Sequence, residues 1–295
     1  MDSHKYSTQV ERLELVETGR RRRWSDDEKL RIVIESLQTP RAISSTARRH
    51  GISRSLLTRW QRSFRPEPMR TVMDAILYIA STGCQWRQLP KYFPPYSTVQ
   101  GYFYAWSRGG LFASLNYTLV MASREAAGRE ASPTAGVIDS QSVKTTESGG
   151  PRGYDAGKKI KGRKRHIVTD TQGNLVGLIV HEASIQDRDG APCVLASIRY
   201  RYPWLRHIFA DGGYAGDKLR QALRRIGEWT IEIIKRSDRA QGFEILPRRW
   251  VVERTFGWLG RCRRLAKDFE TTIASAVAWT FVAHIRVLTR RLARA

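Results

Sequence analysis

Two apolar stretches that each run into an aspartate decide how this sequence folds. They are GVIDSQSVK (residues 136–144) and IFADGGY (residues 208–214). In both, β-branched or aromatic residues precede the acid, which predicts a buried strand ending at Asp139 and another ending at Asp211. If the two strands are neighbours in one sheet, both carboxylates leave it at the same edge. An aspartate at a strand end also commonly caps the following turn, so each residue alone has a local explanation.

Two carboxylates held a few ångströms apart disfavour each other unless a cation lies between them. Mg²⁺ is a hard ion that prefers carboxylate and water ligands. The pair Asp139 and Asp211 therefore predicts a site for a divalent metal, with Mg²⁺ as the expected ion and Mn²⁺ as a possible substitute.

A third acid, Glu253, lies in the segment RRWVVERTFGWL (residues 248–259), which we predict to be helical. Seven basic side chains surround it in sequence between Arg248 and Lys267. One interpretation is an ordinary i,i+4 ion pair with Arg249, which contributes only about 0.5 kcal/mol on an exposed helix. The other is a metal-binding acid within a phosphate-binding surface. Three carboxylates holding two ions suit phosphodiester chemistry, where the ions activate the attacking oxygen and stabilise the leaving oxygen.

The net charge of this 295-residue chain is +23, which favours a polyanionic partner. Nucleic acid is the commonest such partner, and a merely basic soluble protein is the alternative. The densest basic run is GKKIKGRKRH (residues 157–166), which we predict to be a loop that contacts DNA phosphates rather than only solvent. Its expected contact residues are Lys158, Lys159, Lys161, Arg163, Lys164 and Arg165.

The N-terminal quarter carries the pattern of a helix-turn-helix. Residues 1–23 end in four arginines and are expected to form a basic flexible arm. Ser25 and Glu28 form a capping box at the start of a first helix. A second helix ends at Gly51, and a third, capped by Ser53, covers residues 54–64. In this geometry the third helix enters the major groove, and an ordinary three-helix bundle is the alternative. The predicted DNA contacts are Arg54, Ser55, Thr58 and Arg59.

The pattern of the remaining sequence predicts a multidomain α plus α/β protein. Residues 24–65 form the helix-turn-helix, with a proline linker over residues 65–68, and residues 66–130 form a second helical domain. From residue 131 strands and helices alternate behind a hairpin at DTQGN (residues 170–174), which predicts a layered α/β domain to residue 295.

Several other classes of protein fit poorly. Ser140 has no nearby histidine base, Tyr214 lacks the partners of a tyrosine recombinase, and neither a P-loop nor an HExxH motif is present. The three cysteines are scattered, which favours a reducing compartment over disulfides or structural zinc. The N-terminal residues show no secretory signal, and the apolar stretch 273–288 is interrupted by charge, so no membrane role is expected.

Four motifs in this order resemble the DDE transposases of the insertion-sequence family IS-five. They are TGCQWRQLP (residues 82–90), GVIDSQSVK followed by GYDAGKK (residues 136–159), ADGGY (residues 210–214) and WVVERTF (residues 250–256). The resemblance spans about residue 70 to the end. Residues 24–64 instead resemble the small helix-turn-helix proteins of IS-three and IS-sixty-six elements, so the chain looks like a fusion.

The resemblance implies an RNase H-like catalytic fold, with Asp139, Asp211 and Glu253 as the triad and two Mg²⁺ ions as the cofactor. It also implies terminal inverted repeats and target DNA as substrates, and a homodimer or larger assembly on DNA. Arg249 matches the arginine of the family's glutamate motif, and Arg254 and Arg261 are further expected DNA contacts. The tyrosine and lysine expected in that motif are Leu246 and Gly260 in this chain.

The chain is therefore expected to bind the ends of an insertion sequence and to catalyse strand cleavage and strand transfer. Its expected place is the bacterial cytoplasm, in association with the nucleoid. Two alternatives stay open. One is a catalytically inactive chimeric DNA-binding protein or regulator, and the other is a metal-dependent nuclease that cuts without joining.

Overall fold

The computed structural model describes residues 23–37, 42–63, 66–234 and 247–294. The basic arm before Arg23, the predicted linker residue Arg65 and the motif position Leu246 lie outside these ranges. Within them, an N-terminal set of helices is followed by a mixed sheet that carries helices on both faces.

Three short helices form the N-terminal unit: α1 (Asp26–Leu37), α2 (Ile43–Arg49) and α3 (Arg54–Ser63). The capping box is confirmed, since Ser25 N–H donates to Glu28 Oε2 at 2.8 Å and Glu28 N–H donates to Ser25 Oγ at 3.2 Å. Gly51 adopts the left-handed conformation with φ of +63°, which a glycine accepts without strain. The chain thereby reverses between α2 and α3, as the helix-turn-helix prediction requires.

Three longer helices follow: α4 (Pro66–Thr82), α5 (Tyr96–Arg108) and α6 (Leu111–Ala126). The predicted proline linker is wrong, because α4 begins at Pro66. Proline is tolerated in the first turn of a helix, where its missing N–H has no intrahelical partner anyway. The first six helices are not separate from the rest of the molecule. One apolar cluster joins Leu57 of α3, Ile76 of α4, Phe103 of α5 and Trp279 of the last helix.

Six strands form one sheet: β1 (Ala135–Lys144), β2 (Gly153–Asp155), β3 (Ile160–Asp170), β4 (Leu175–Glu182), β5 (His207–Ala210) and β6 (Thr230–Ile233). The order across it is β3-β1-β5-β6, with β2 and β4 both paired to β3. β1 is antiparallel to β3 and parallel to β5, and β5 is parallel to β6. This mixed order, with a long antiparallel hairpin followed by parallel strands, confirms the predicted RNase H-like α/β class.

Four helices cover the two faces of the sheet: α7 (Asp187–Ile198), α8 (Asp217–Ile226), α9 (Pro247–Gly260) and α10 (Ile273–Leu292). Alternate strand residues point to opposite faces. Ile138 and Ile208 accordingly pack in the cluster built with α7 and α8. Val137 and Phe209 pack on the other face, with Val252 of α9. This alternation decides where every polar side chain of β1 and β5 goes.

Two predicted boundaries differ from the structure. β1 continues through Asp139 to Lys144, so Asp139 lies within a strand rather than at its end. The basic run of residues 157–166 is only partly a loop, because β3 begins at Ile160 and pairs with β1 from Gly162 onward. Polar residues inside a strand do not interrupt it when each polar side chain has a hydrogen-bond or ion-pair partner.

Candidate active site

Asp139 and Asp211 lie on the α9 face of the sheet. β1 and β5 are paired in parallel through Val137 and Phe209, and the two acids follow these residues by two positions. A shift of two residues returns to the same face. The condition that the two strands are neighbours is therefore met, and the two acids emerge on the side that α9 covers.

Asp139 is held in a partly buried position on β1. Its Oδ1 accepts a hydrogen bond of 2.7 Å from the backbone N–H of Ser140. The pKa of Asp139 is raised to about 6, first by burial and also by the negative charge of Asp211, while the Ser140 N–H, Lys158 and Arg249 act in the opposite direction.

Asp211 begins the turn after β5. Its Oδ1 accepts a hydrogen bond of 2.8 Å from Gly213 N–H, which is the turn-capping contact that the sequence alone already allowed. Its other oxygen, Oδ2, lies 3.7 Å from Nη2 of Arg249. Asp211 therefore has both a local structural contact and a contact that reaches across to α9.

Glu253 joins this group through the same arginine. Its Oε1 lies 3.5 Å from Nη2 of Arg249, four residues earlier on α9. The i,i+4 ion pair considered from the sequence is present, and one guanidinium nitrogen lies within 4 Å of two carboxylates. Arg249, Asp211 and Glu253 are each partly solvent-exposed, so the group faces outward.

The seven basic residues near Glu253 in sequence do not converge on it. Arg254 points away, donates to the Gln172 carbonyl oxygen at 3.1 Å and stacks over Trp258 at 4.7 Å. Arg264 pairs with Glu270. Residues one or two positions apart on a helix face different directions. Basic side chains that are close together in this sequence segment are therefore not close together in space.

The donor chemistry of Asp139, Asp211 and Glu253 suits a hard divalent cation, since all three supply carboxylate oxygens. In the arrangement observed, Arg249 supplies the positive charge beside two of them. No group of three or more His, Cys, Asp or Glu side chains within the described ranges is drawn together closely enough to hold a metal ion.

A polar network on the opposite face of β1 was missed by the sequence reasoning. Ser140 Oγ donates to Asp187 Oδ1 at 2.7 Å, and Lys158 Nζ donates to the Ser140 carbonyl oxygen at 3.0 Å. Tyr214 and the buried His166 are 2.7 Å apart. This network ties β1 and the turn after β5 to β3 and α7, directly beside the two aspartates. The only signal for it was Ser140 next to Asp139.

Three of the predicted DNA contacts are wrong, because the structure buries them. Arg163 is completely buried and bonds to Asp268 and to three carbonyl oxygens. Lys164 lies 2.7 Å from Asp187 and 3.4 Å from Asp155. Arg165 donates to the Leu265 carbonyl oxygen at 2.9 Å, and burial lowers the pKa of its guanidinium to about 10. All three follow Gly162, where β3 pairs with β1 and β4 on its two edges and every residue to Asp170 is buried.

The other predicted DNA contacts reach solvent at least in part. Lys158, Lys159 and Lys161 are exposed at the hairpin between β2 and β3. On α3, Arg54, Ser55 and Arg59 are exposed and Thr58 is half-buried, while Leu57 and Trp60 pack inward as expected. Arg261 is exposed near the end of α9.

No helix within the described ranges is both long and apolar enough to cross a bilayer.

Comparison with known proteins gives three family matches. A model described as "Transposase DDE domain" matches residues 130–288, and one described as "Putative transposase of IS4/5 family" matches residues 51–116. A helix-turn-helix model described as "Transposase" matches residues 18–76.

Among curated proteins, the chain is 34% identical over 116 residues to "Putative transposase for insertion sequence element IS402" of Burkholderia cepacia. That match covers 37% of this chain and 54% of the relative, so the alignment spans about half the relative's length. Among solved structures, a Mos1 transposase paired-end complex with the left transposon end is 10% identical at a TM-score of 0.24, over 91% of this chain and 96% of that one. The Mos1 strand transfer complex is 11% identical at a TM-score of 0.22, over 92% and 97%.

The model that matches residues 130–288 covers more than half of the chain, including β1, β5 and α9 with the three acids. This chain therefore belongs to the family of transposases with a DDE domain, of the IS-five type.

Proposed function

We propose that the chain is a DNA transposase that cuts and joins DNA at the ends of an insertion sequence, with Asp139, Asp211 and Glu253 as its metal-binding carboxylates. The observation that carries the proposal is the position of Asp139 and Asp211, which follow paired residues of β1 and β5, beside the helix α9 that carries Glu253. Arg249 of α9 lies within 4 Å of a carboxylate oxygen of both Asp211 and Glu253. A merely structural salt bridge between Arg249 and Glu253 does not require an acid on β1 or β5.

Membership of the DDE family implies a divalent metal. We propose Mg²⁺ as the ion, with Mn²⁺ as a possible substitute and two ions per site, held by Asp139, Asp211 and Glu253. The bound metal would activate the attacking water or 3′-hydroxyl and stabilise the leaving oxygen. Arg249 then exchanges its carboxylate partners for a phosphate of the DNA, since a guanidinium binds both anions through the same paired hydrogen bonds.

The proposed substrates are duplex DNA carrying terminal inverted repeats and a target duplex. Two surfaces support this proposal, namely the exposed residues of α3 and the lysines of the β2–β3 hairpin. Their proposed DNA contacts, with those of α9, are Arg54, Ser55, Thr58, Arg59, Lys158, Lys159, Lys161, Arg249, Arg254 and Arg261. Synapsis of two ends requires a homodimer or larger assembly, and the proposed site of action is the bacterial nucleoid.

The decisive experiment supplies the parent protein with an element end, Mg²⁺ or Mn²⁺ and a target plasmid, and measures binding, nicking and joined products. Asp139→Asn should keep end binding and slow both chemical steps more than about 100-fold, because losing a group that only orients a metal ligand already costs about 10–100-fold. Asp217→Asn, in an exposed acid on α8, is the matched control and should behave like the parent.

The same assay separates the alternatives. Binding by the parent without nicking is the behaviour of an inactive chimera or regulator, and nicking without joined products is that of a nuclease. If Asp139→Asn nicks at the parental rate, the assignment of Asp139 to the metal site is wrong.

A further inference from the structure

A cavity of about 490 Å³ lies between α9 and α10, away from the three acids. Five arginines and one tryptophan dominate its lining: Trp258, Arg261, Arg286, Arg290, Arg291 and Arg294. We call this cavity the arginine pocket. Of these arginines, only Arg261 is among the DNA contacts expected from the sequence.

The arginines meet because of helical spacing. Arg286 and Arg290 are four residues apart on α10, so their side chains lie above one another on one face, and Arg294 follows four residues later, just beyond the end of α10 at Leu292. Arg261 lies directly after the end of α9 at Gly260, three residues after Trp258, and lines the same cavity. The opposite face of α10 carries Ile285 and Leu288, which are both buried. The packing of that apolar face holds the arginine face in place.

The charge of the arginine pocket is not neutralised from within. No carboxylate is among its lining residues in the described part of the chain. The nearest acid that affects it is Asp170, which is completely buried and already bonded to Arg124 at 2.6 Å and to Asn174 N–H at 2.8 Å. Burial lowers the pKa of Arg291, Asp170 opposes this shift, and the positive charge of Arg254 adds to it. Like charges gathered without acids favour an anionic ligand.

One wall of the pocket is fixed before any ligand arrives. The ring of Trp258 has the guanidinium of Arg254 at 4.7 Å from its centre and that of Arg291 at 5.1 Å. Arg291 also donates to Asn174 Oδ1 at 2.6 Å. A guanidinium held in this way loses less conformational freedom when it binds, which favours affinity.

We propose that the arginine pocket binds the phosphate backbone of duplex DNA outside the catalytic centre. Five guanidiniums exceed what one free phosphate neutralises, whereas successive phosphates of a strand present several charges along such a row. The seven residue steps from Glu253 to Gly260, where α9 ends, span about 10 Å, and Arg261 follows directly. This length corresponds to about three base-pair steps of DNA, which one duplex can cover. This last step rests on the proposed function, while the binding itself does not.

The test measures duplex DNA binding by the full-length chain in EDTA, so that no cleavage takes place. Arg290→Gln with Arg294→Gln should raise the Kd about tenfold and lower the slope of log K against log salt by about 2, since each lost phosphate contact lowers it by about 0.9. Arg224→Gln with Arg225→Gln removes the same charge from exposed positions on α8 and is the control. Replacing Arg290 and Arg294 by lysine should restore most of the slope.

Three results would overturn the proposal. One is a folded Arg290→Gln, Arg294→Gln variant, verified by its thermal transition, with the Kd and salt slope of the α8 control. A second is weakened binding of single-stranded RNA with unchanged binding of duplex DNA. A third is that binding of the duplex by the parent does not weaken as the salt concentration rises, because phosphate contacts release counterions. Because catalysis plays no part here, failure of the Asp139→Asn test leaves these results interpretable.

Discussion

Two basic regions of this molecule differ in a way that their sequences conceal. The run from Lys158 to Arg165 is the densest cluster of charge in the chain, yet Arg163, Lys164 and Arg165 are buried and bonded inside the sheet. The arginines of α9 and α10 are spread over more than thirty positions, yet five of them line one cavity. Adjacent charges on a strand diverge to opposite faces, whereas charges four apart on a helix converge.

The difference also changes what each arginine does. Arg163 contributes to folding, because its guanidinium satisfies Asp268 and carbonyl oxygens that would otherwise be buried without partners. Arg290 and Arg294 are exposed, and no ion pair involves them in the described ranges, so they remain available to a ligand. Substitutions in the two regions should therefore separate stability from DNA binding.

The largest expected effect is on the stability of the Arg163→Ala variant. Removing one partner of a buried ion pair typically costs about 3–5 kcal/mol, because Asp268 is left buried without its countercharge. Denaturation by urea, followed by circular dichroism, measures this change. Arg261→Gln, in the arginine pocket, is the control and should alter the free energy of unfolding by no more than about 0.5 kcal/mol. An Arg163→Ala variant as stable as the parent but weaker in DNA binding would reverse our assignment.

The next effect concerns His166, which follows the buried arginines on β3. Burial lowers the pKa of His166 from 6.5 to about 3, and His181 adds to the shift. Below pH 6.5 His166 binds a proton in the unfolded chain but stays neutral in the folded chain. The contribution of His166 to the free energy of unfolding is therefore complete above this pH and is lost as the pH falls toward 3. The loss from this group is about 1.4 kcal/mol per pH unit.

His166→Asn tests this prediction, since it removes the titration and keeps a polar side chain near Tyr214. Urea denaturation at several pH values should give the variant a flatter dependence of stability on pH than the parent. His284, also buried and with its pKa lowered to about 3, continues to titrate in both proteins and serves as the internal reference. Equal slopes in parent and variant would mean that His166 is protonated in the folded state.

The smallest expected effect is that of Lys159→Gln with Lys161→Gln, in the exposed half of the same basic run. Both side chains reach solvent, so stability should change by no more than about 0.5 kcal/mol. Duplex binding should weaken modestly, with the salt slope reduced by up to about 0.9 for each lysine that contacts a phosphate. Fluorescence anisotropy over a range of salt concentrations measures this. A loss of stability comparable to that of Arg163→Ala would mean that these lysines stabilise the fold instead.

Much of the fold follows from local pattern. The helix caps at Ser25 and Ser53, the reversal at Gly51 and the hairpin at residues 170–174 all form as predicted. Each depends on contacts within a few residues, which the sequence displays directly. The errors are at Pro66 and at Ile160, where a proline or a basic run was interpreted as a loop. Proline is tolerated in the first turn of a helix, and pairing with β1 and β4 places the basic residues after Ile160 in a strand.

The candidate site shows the same division between local pattern and tertiary contact. The apolar residues before Asp139 and Asp211 were enough to predict two strands, and the pairing of β1 with β5 shows that these strands are neighbours. The contact of Arg249 with both Asp211 and Glu253 was not predictable, because it depends on where α9 packs. The Ser140–Asp187 bond was equally hidden, since it joins β1 to a helix 47 residues later.

The sequence by itself determined the family motifs, the helix-turn-helix, the strand–helix alternation and the positive charge. All of these are read from neighbouring residues or from composition. Only the tertiary structure decided which positive charges are buried and which acids Arg249 contacts. It alone brought α9 and α10 together around the arginine pocket. These outcomes depend on the pairing of strands and the packing of helices between residues far apart in the chain, which no local pattern specifies.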